Sequence, residues 1–144
     1  MAITYPVSVF HFQVEWGGNR IGFTEASGLN FEIDSIEYRE GNSKEYQVTK
    51  MPGIPKFSNI TLKRGIFRSD NDFGRWIGTA SLNKIERRDI IISLLNEEHD
   101  PIVVWKVKEA WPCKVEGPSL NSTGNEVAVE SIELCHEGLT VEYL

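Results

Sequence analysis

The chain has 144 residues, 40% apolar and 25% charged, with a formal net charge of −6 and a pI near 5.1. A chain of that length fits one domain, 1–144, and buries roughly 70% of its unfolded surface, so one core is expected and disorder throughout is excluded. The acidic balance excludes a general nucleic-acid binder, which needs a basic face against phosphates, and no apolar run reaches the ~18 residues of a spanning helix.

In chain order, VSVFHFQVEW sets Phe10, Phe12, Val14 and Trp16 in alternation with His11, Gln13 and Glu15. Period two predicts a half-buried strand. GGN at 17–19 reads as a hairpin turn, with RIGF at 20–23 as the returning strand. NFEIDSIEY at 30–38 is a further strand, and its apolar residues change parity between Ile33 and Ile36. In a strand that means a bulge or a change of sheet.

Residues 39–58, REGNSKEYQVTKMPGIPKFS, carry two prolines, two glycines and scattered charges, with only Tyr46 and Val48 in alternation. Unstructured connections beyond about 12–15 residues are usually functional or disordered. The stiff MPGIP return argues for function. NITLKRGIF at 59–67 is the next strand, Ile60 and Leu62 on one face, Thr61 and Lys63 on the other. Its basic run through Lys63, Arg64 and Arg68 reads as a solvated strand edge.

SDNDFGRWIGTASL breaks the β pattern. Phe73, Trp76, Ile77 and Ala80 fall on one helical face, Asp70 suits the N-cap and Asp72 the first turn, which predicts a short helix over about 70–80. Strands then resume: Ile90, Ile92 and Leu94 in phase, a turn at EEHDP, and Val103, Trp105 and Val107 in the next strand, which Pro112 and Gly117-Pro118 close. The C-terminal stretch gives one or two strands. Val127 and Val129 share a phase that Ile132 and Leu134 do not, so a second bulge is expected there. The pattern gives about seven strands and one helix, an all-β sandwich or small barrel.

Tests for chemistry come back empty. There is no nucleophile elbow, phosphate loop or dinucleotide fingerprint. His11, His99 and His136 lack metal-ligand spacing, and DNDFGRW reaches Ser81 where a calcium loop needs a bidentate acid. No catalytic residue, cofactor or metal is expected. Cys113 and Cys135 are expected as reduced, partly buried thiols, although two cysteines leave room for one bridge. NIT and NST match glycosylation sequons, but MAITYPVSVF has neither basic n-region nor apolar h-region, so a cytoplasmic product without signal peptide is expected. What remains is interaction: strand edges must be closed, covered or paired. Trp16 and Trp105 suit a core, whereas Trp111 before Pro112 suits an interface.

Six segments in order resemble one family: FTEASGL at 23–29, EYREGN at 37–42, KMPG at 50–53, NITLKRGIF at 59–67, AWPCK at 110–114 and GNEVAVESIELCHEGL at 124–139. The chain resembles the inner-tube proteins of contractile injection systems, the group of the contractile-phage tail tube protein. The resemblance implies two packed antiparallel sheets with one helix, and a ring-forming subunit, usually hexameric, stacking into a hollow tube within a contractile sheath. It implies no enzyme activity.

The implied partners are further copies of the chain, sheath protein, baseplate hub and tube-initiator proteins, a tube cap or terminator, and protein cargo in the lumen. Neither nucleic-acid specificity nor membrane insertion is implied, and the destination is a phage tail or tail-like particle. Residues 39–56 correspond to an extended arm that packs on neighbours. Its expected interface residues are Arg39, Glu40, Asn42, Lys44, Tyr46 and Val48, then Lys50, Met51, Pro52, Gly53, Pro55 and Lys56, together with Trp111. Asp72 and Arg75 on the helix, with Glu97 and Glu98, are expected to face the sheath. The alternatives are a tube-initiator or baseplate adaptor of the same system, and a monomeric barrel for a small apolar ligand.

Overall fold

A computed structural model describes residues 5, 6, 8, 9, 11–17, 22–42, 48–66, 72–80 and 84–144. The described strands are β1 (Phe12–Glu15), β2 (Glu25–Ser27), β3 (Phe31–Tyr38), β4 (Thr49–Phe57), β5 (Ile60–Gly65), β6 (Arg88–Leu95), β7 (Pro101–Glu116), β8 (Val129–Cys135) and β9 (Gly138–Tyr143). One helix, α1 (Asp72–Ile77), lies between β5 and β6. All pairings are antiparallel, and one sheet runs β1-β6-β7-β8-β5-β2 with β9 also on β7. β3 and β4 form a separate two-stranded ribbon.

The long sheet folds over into two halves because β7 belongs to both. Its first part pairs with β6 and β9, and residues 111–116 pair with β8. The change of partner falls at Glu109, whose φ of 53° lies in the left-handed region and whose N–H donates to Asp89 Oδ1 at 3.1 Å. The register with β6 slips there, between Arg88↔Ala110 and Ile90↔Val107. A bulge of this kind bends the strand and moves the inward face from Val107 to Ala110 and Pro112. Pro112 therefore lies inside the strand rather than ending it, buried opposite Leu134. A proline is tolerated there because residues 111–116 form an edge on that half. Gly117-Pro118 follow the strand as expected.

Ile90, Ile92, Val107 and Leu139 from one half meet Ile60, Leu62, Ile132 and Leu134 from the other in one core. The helix completes it through Phe73 and Trp76. It is shorter than the expected span: Ala80 lies beyond it and is exposed, and Asp70 falls outside the described residues. Trp16 connects the parts, 5.2 Å from Phe73, 5.9 Å from Trp76 and 6.0 Å from Phe23 between ring centroids. The Trp76 indole N–H donates to the Glu86 carbonyl at 2.8 Å, which ties the helix to the chain entering β6.

Three further expectations change. RIGF does not return beside β1 among the described residues: Gly22 and Phe23 lie outside any strand, and the next strand, β2, pairs with β5. β8 runs against β5 without a register shift from Ile60↔Leu134 to Gly65↔Val129, so it holds no bulge of its own. Val127 simply precedes the strand and is exposed.

The basic run of β5 is also not a solvated edge. Strand alternation puts Arg64 in phase with Ile60 and Leu62, and it is 1% exposed. Its Nε donates to Glu130 Oε1 at 2.9 Å, directly across the strand pair. Its guanidinium lies 4.0 Å from the Phe73 ring centroid and 5.4 Å from that of Trp16. Lys63 faces outward, 3.4 Å from Glu25, and Arg68 lies outside the described residues. Removing one partner of a buried ion pair strands the other charge. Glu130→Ala should thus lower stability by about 2 kcal/mol, below the ~3–5 of a fully buried pair because Glu130 keeps some solvent contact. Arg64→Met with Glu130→Leu should recover most of that loss in urea denaturation, because no charge is then left buried.

Candidate assembly surfaces

The β3–β4 ribbon is an arm without a core of its own. Every β3 residue is exposed, including Phe31, Ile33, Ile36 and Tyr38, and so are Met51 and Ile54 on β4. The arm therefore begins near Phe31, before the expected range of 39–56, and its returning strand is β4. Its base is fixed: Phe57 packs on the core and lies 5.6 Å from the His136 ring, whose Nε2–H donates to the Ser58 carbonyl at 2.9 Å. Ser58 N–H donates back to Asn30 O at 3.3 Å. Gly28, just before the arm, has φ +87°, and a Cβ there would stand 2.0 Å from the Asn59 carbonyl oxygen. This close approach accounts for glycine in the FTEASGL segment.

The parity change between Ile33 and Ile36 is not a bulge in β3, which alternates regularly; the irregularity lies opposite it, in β4. Ile33 faces Pro55 and Ser35 faces Pro52, so Gly53 and Ile54 together oppose Asp34. A Cβ on Gly53 would lie 2.8 Å from the Asp34 carbonyl oxygen. Successive side chains alternate faces. The apolar pair Phe31 and Ile33 therefore projects from one side of the ribbon near its base, and Ile36 and Tyr38 from the other side nearer the tip. Lys56 and Asp34 form an ion pair across the ribbon at 2.5 Å, and the link raises the lysine pKa above its ordinary value. Pro52 and Pro55 each remove an N–H from β4, which limits strand addition on that edge.

The structure brings most of the expected arm residues together. Arg39, Glu40 and Asn42 are exposed at the turn, and Val48, Lys50, Met51, Pro52, Gly53, Pro55 and Lys56 follow on the return. Lys44 and Tyr46 lie outside the described residues. Trp111 is elsewhere, half-buried opposite Cys135. Arg75 points into solvent 4.0 Å from Asp72, which is largely covered. Glu97 and Glu98 are exposed in the β6–β7 turn, where Asn96 Oδ1 accepts from the N–H groups of Glu98 and Asp100.

The outer face of β2, β5, β8 and the end of β7 is polar. Glu25 pairs with Lys63, Lys114 with Glu116, and Asn59 Nδ2 donates to Glu133 Oε1 at 3.0 Å. The Glu116 carboxyl is held below its usual range by Lys114, whose own pKa is raised in return. A small depression of about 80 Å³ between Thr61, Lys114, Glu116, Ser131 and Glu133 lies on this face. Cys113 joins the face, and both cysteines are free. Among the described residues no group of three or more His, Cys, Asp or Glu side chains could hold a metal ion, and no helix is long and apolar enough to cross a membrane.

A filled antiparallel sandwich with a bare arm that exposes apolar side chains on both sides, and a polar sheet face, defines a self-assembling structural subunit. Residues 8–140 match the family described as T4-like virus tail tube protein gp19, and the chain belongs to that family. It is similar to a chain in the cryo-EM structure of the anti-feeding prophage (AFP) tube-terminating cap, with 39% identity and a TM-score of 0.91, covering 100% of this chain and 95% of that one. It is also similar to a chain of the PVC sheath-tube complex of an extracellular contractile injection system in its extended state: 35% identity, TM-score 0.89, covering 99% and 95%. Hcp1 from Salmonella typhimurium shares the fold alone, at 12% identity and a TM-score of 0.58 over 92% of this chain and 85% of that one. Among curated protein sequences none matches.

Two outcomes test this geometry. Gly53→Val should disorder the arm, seen as lost amide protection across β3 and β4, while urea denaturation followed by tryptophan fluorescence shifts by less than about 0.5 kcal/mol because the core is untouched. The Cys113 thiol is pushed from 9.0 up to about 12 by partial burial, then by the neighbouring Cys135 and Glu133. The fold keeps this proton at pH values where the unfolded chain releases it, so the contribution is complete below about pH 9 and vanishes toward about pH 12. Thermal denaturation of the reduced protein should show that loss, and Cys113→Ser should flatten it.

Proposed function

We propose that the chain is the repeating subunit of the hollow inner tube of a contractile injection system or phage tail. It assembles as rings, hexameric as in the resemblance, that stack inside a sheath whose contraction drives the tube through a target envelope. The observation that carries this reading is the arm. An isolated two-stranded ribbon is marginal in water, and exposed apolar surface of this kind marks a contact with another protein. The two apolar groups on opposite sides of the ribbon suit two different neighbours, one in the same ring and one in the adjacent ring. Trp111 and residues 39–56 belong to those contacts.

Rings close through heterologous interfaces, and among the described strands β2 and residues 111–116 stand at opposite ends of one sheet half. Subunits joined there would extend the sheet into a continuous wall and remove both edges. The polar face carrying Glu25, Glu116 and Glu133 against Lys63 and Lys114 suits a hydrated, mildly negative bore able to pass protein cargo. A basic lumen in a density map would contradict that assignment. Arg75 and the turn with Glu97 and Glu98 are the side chains offered to a sheath. Cap, baseplate hub and initiator proteins would meet the tube ends.

The second reading, a tube initiator at the baseplate, is supported by a fold shared with a chain of the AFP baseplate at 20% identity. The higher identity to a chain of a sheath-tube complex favours the main tube. A barrel holding an apolar ligand would need a hollow interior, whereas Trp16, Trp76, Phe73 and the facing isoleucines and leucines occupy this one.

Concentrated protein should form annular or tubular particles by negative-stain microscopy and light scattering. Met51→Asp combined with Ile36→Asp should reduce the assembled fraction at least about tenfold, a change of ~1.4 kcal/mol, with the circular dichroism spectrum unchanged. Arm amides should be protected from exchange in particles and open in the free subunit. Equal protection in both states, or a strict monomer at high concentration, would overturn the reading.

A further inference from the structure

Cys113 and Cys135 lie far apart in sequence but on one face of two neighbouring strands. Trp111 pairs with Cys135, Pro112 with Leu134 and Lys114 with Glu133, which leaves Cys113 as the extra residue of a bulge in β7. Leu134 is fully buried, so alternation turns its neighbours Glu133 and Cys135 to the outer face. Cys113 occupies that face too. Its thiol donates to the Glu133 carbonyl at 3.3 Å, with the Asn59 amide 4.0 Å from the sulfur. Cys135 is one of the neighbours that raise the Cys113 pKa, so the two side chains are close enough to interact. Trp111 is the direct partner of Cys135, so Cys113 stands diagonally from it, and the bulge shortens the offset that a disulfide would have to span.

We propose that Cys113 and Cys135 form a reversible intrachain disulfide when the protein meets an oxidising thiol buffer. The co-reactant is a small-molecule disulfide such as oxidised glutathione. The Cys135 thiolate attacks one of its sulfurs, and one glutathione thiolate leaves. The Cys113 sulfur then attacks the mixed disulfide at Cys135, the protein S–S bond forms, and the second glutathione leaves. The two protein thiols lose two electrons and two protons, and one glutathione disulfide becomes two glutathione thiols, so the exchange balances.

Cys113 is the slower partner. Its thiol is pushed up to about 12, first by partial burial and then by Cys135, so it stays protonated at neutral pH. The resolving step should therefore accelerate as pH rises. The bond would close a covalent ring around the exposed connection of residues 117–128, which carries Leu120 and Val127 into solvent. It would tether that connection at both ends without altering the core, because both sulfurs sit on the outer face.

The test uses the full chain, fully reduced and then incubated with excess oxidised glutathione from pH 7 to 9. The expected product has an intact mass lower by two hydrogens, keeps no glutathione, and gives a non-reducing digest with the Cys113 and Cys135 peptides joined. Its formation should speed up with pH, and cleavage within residues 117–128 by a nonspecific protease should slow several-fold until dithiothreitol is added. Cys113→Ser should stop at one glutathione adduct on Cys135, with cleavage unchanged. A wild-type product carrying glutathione on both cysteines, joined between chains, or unchanged in mass would overturn the proposal. These readouts do not depend on tube formation, so they fail or succeed separately from the assembly reading.

Discussion

Arg64 is the constraint on which the rest of the sandwich depends. A guanidinium that is 1% exposed must have its charge met, and three groups from different elements meet it. Glu130 accepts from β8, Phe73 lies beneath it from α1, and Trp16 stands beside it after β1. A cation over an aromatic face gains from the ring quadrupole, more so away from water. Satisfying this one charge fixes the register of β5 on β8, the seat of the helix, and the position of the tryptophan that joins both to the first strand. Arg88 repeats the arrangement from β6, 4.6 Å from the Trp76 ring centroid and 5.5 Å from that of Trp16.

Against that filled interior the arm is the opposite case. Its base is anchored by Phe57, His136 and the Ser58 carbonyl, but beyond the base none of the described residues covers it. Regular alternation along β3, with Phe31 and Ile33 at odd positions and Ile36 and Tyr38 at even ones, gives the ribbon two apolar sides rather than one. A single hydrophobic side could fold down on the sandwich. Two sides cannot both do so, which is the physical reason to look for neighbours. The same economy shows in the edges: β4 loses two donors to proline, while among the described strands β2 and residues 111–116 stand at opposite ends of a sheet half.

Much of this was legible in sequence where a period of two ran without interruption. β1, β6 and the first part of β7 show their inward residues directly, whereas the parity change at Ile33 and Ile36 falls in a strand that alternates regularly, the bulge lying opposite it in β4. Arg64 was equally in phase with Ile60 and Leu62, yet its charge argued for solvent. Periodicity was the better guide, because the partner that makes burial tolerable lies 66 residues away. Pro112 was misread as a strand end for a similar reason: whether a proline fits depends on whether its strand is an edge, and that is a property of the sheet. Val127 supplied a false bulge because residues just before a strand can share its apolar character without its pairing.

The sequence by itself determined the β-rich class, the single core, the short helix with its inward Phe73 and Trp76, and, through the order of its motifs, the tail-tube family. These rest on local alternation and on side-chain chemistry that each segment carries with it. Only the tertiary structure decided which strands pair, where β7 passes from one half of the sheet to the other, that Arg64 and Glu130 meet inside, and that Cys113 and Cys135 share one face of neighbouring strands. Those outcomes come from contacts between segments distant in the chain. Their geometry is set by sheet register and by the close backbone approaches at Gly28 and Gly53, which no local pattern encodes.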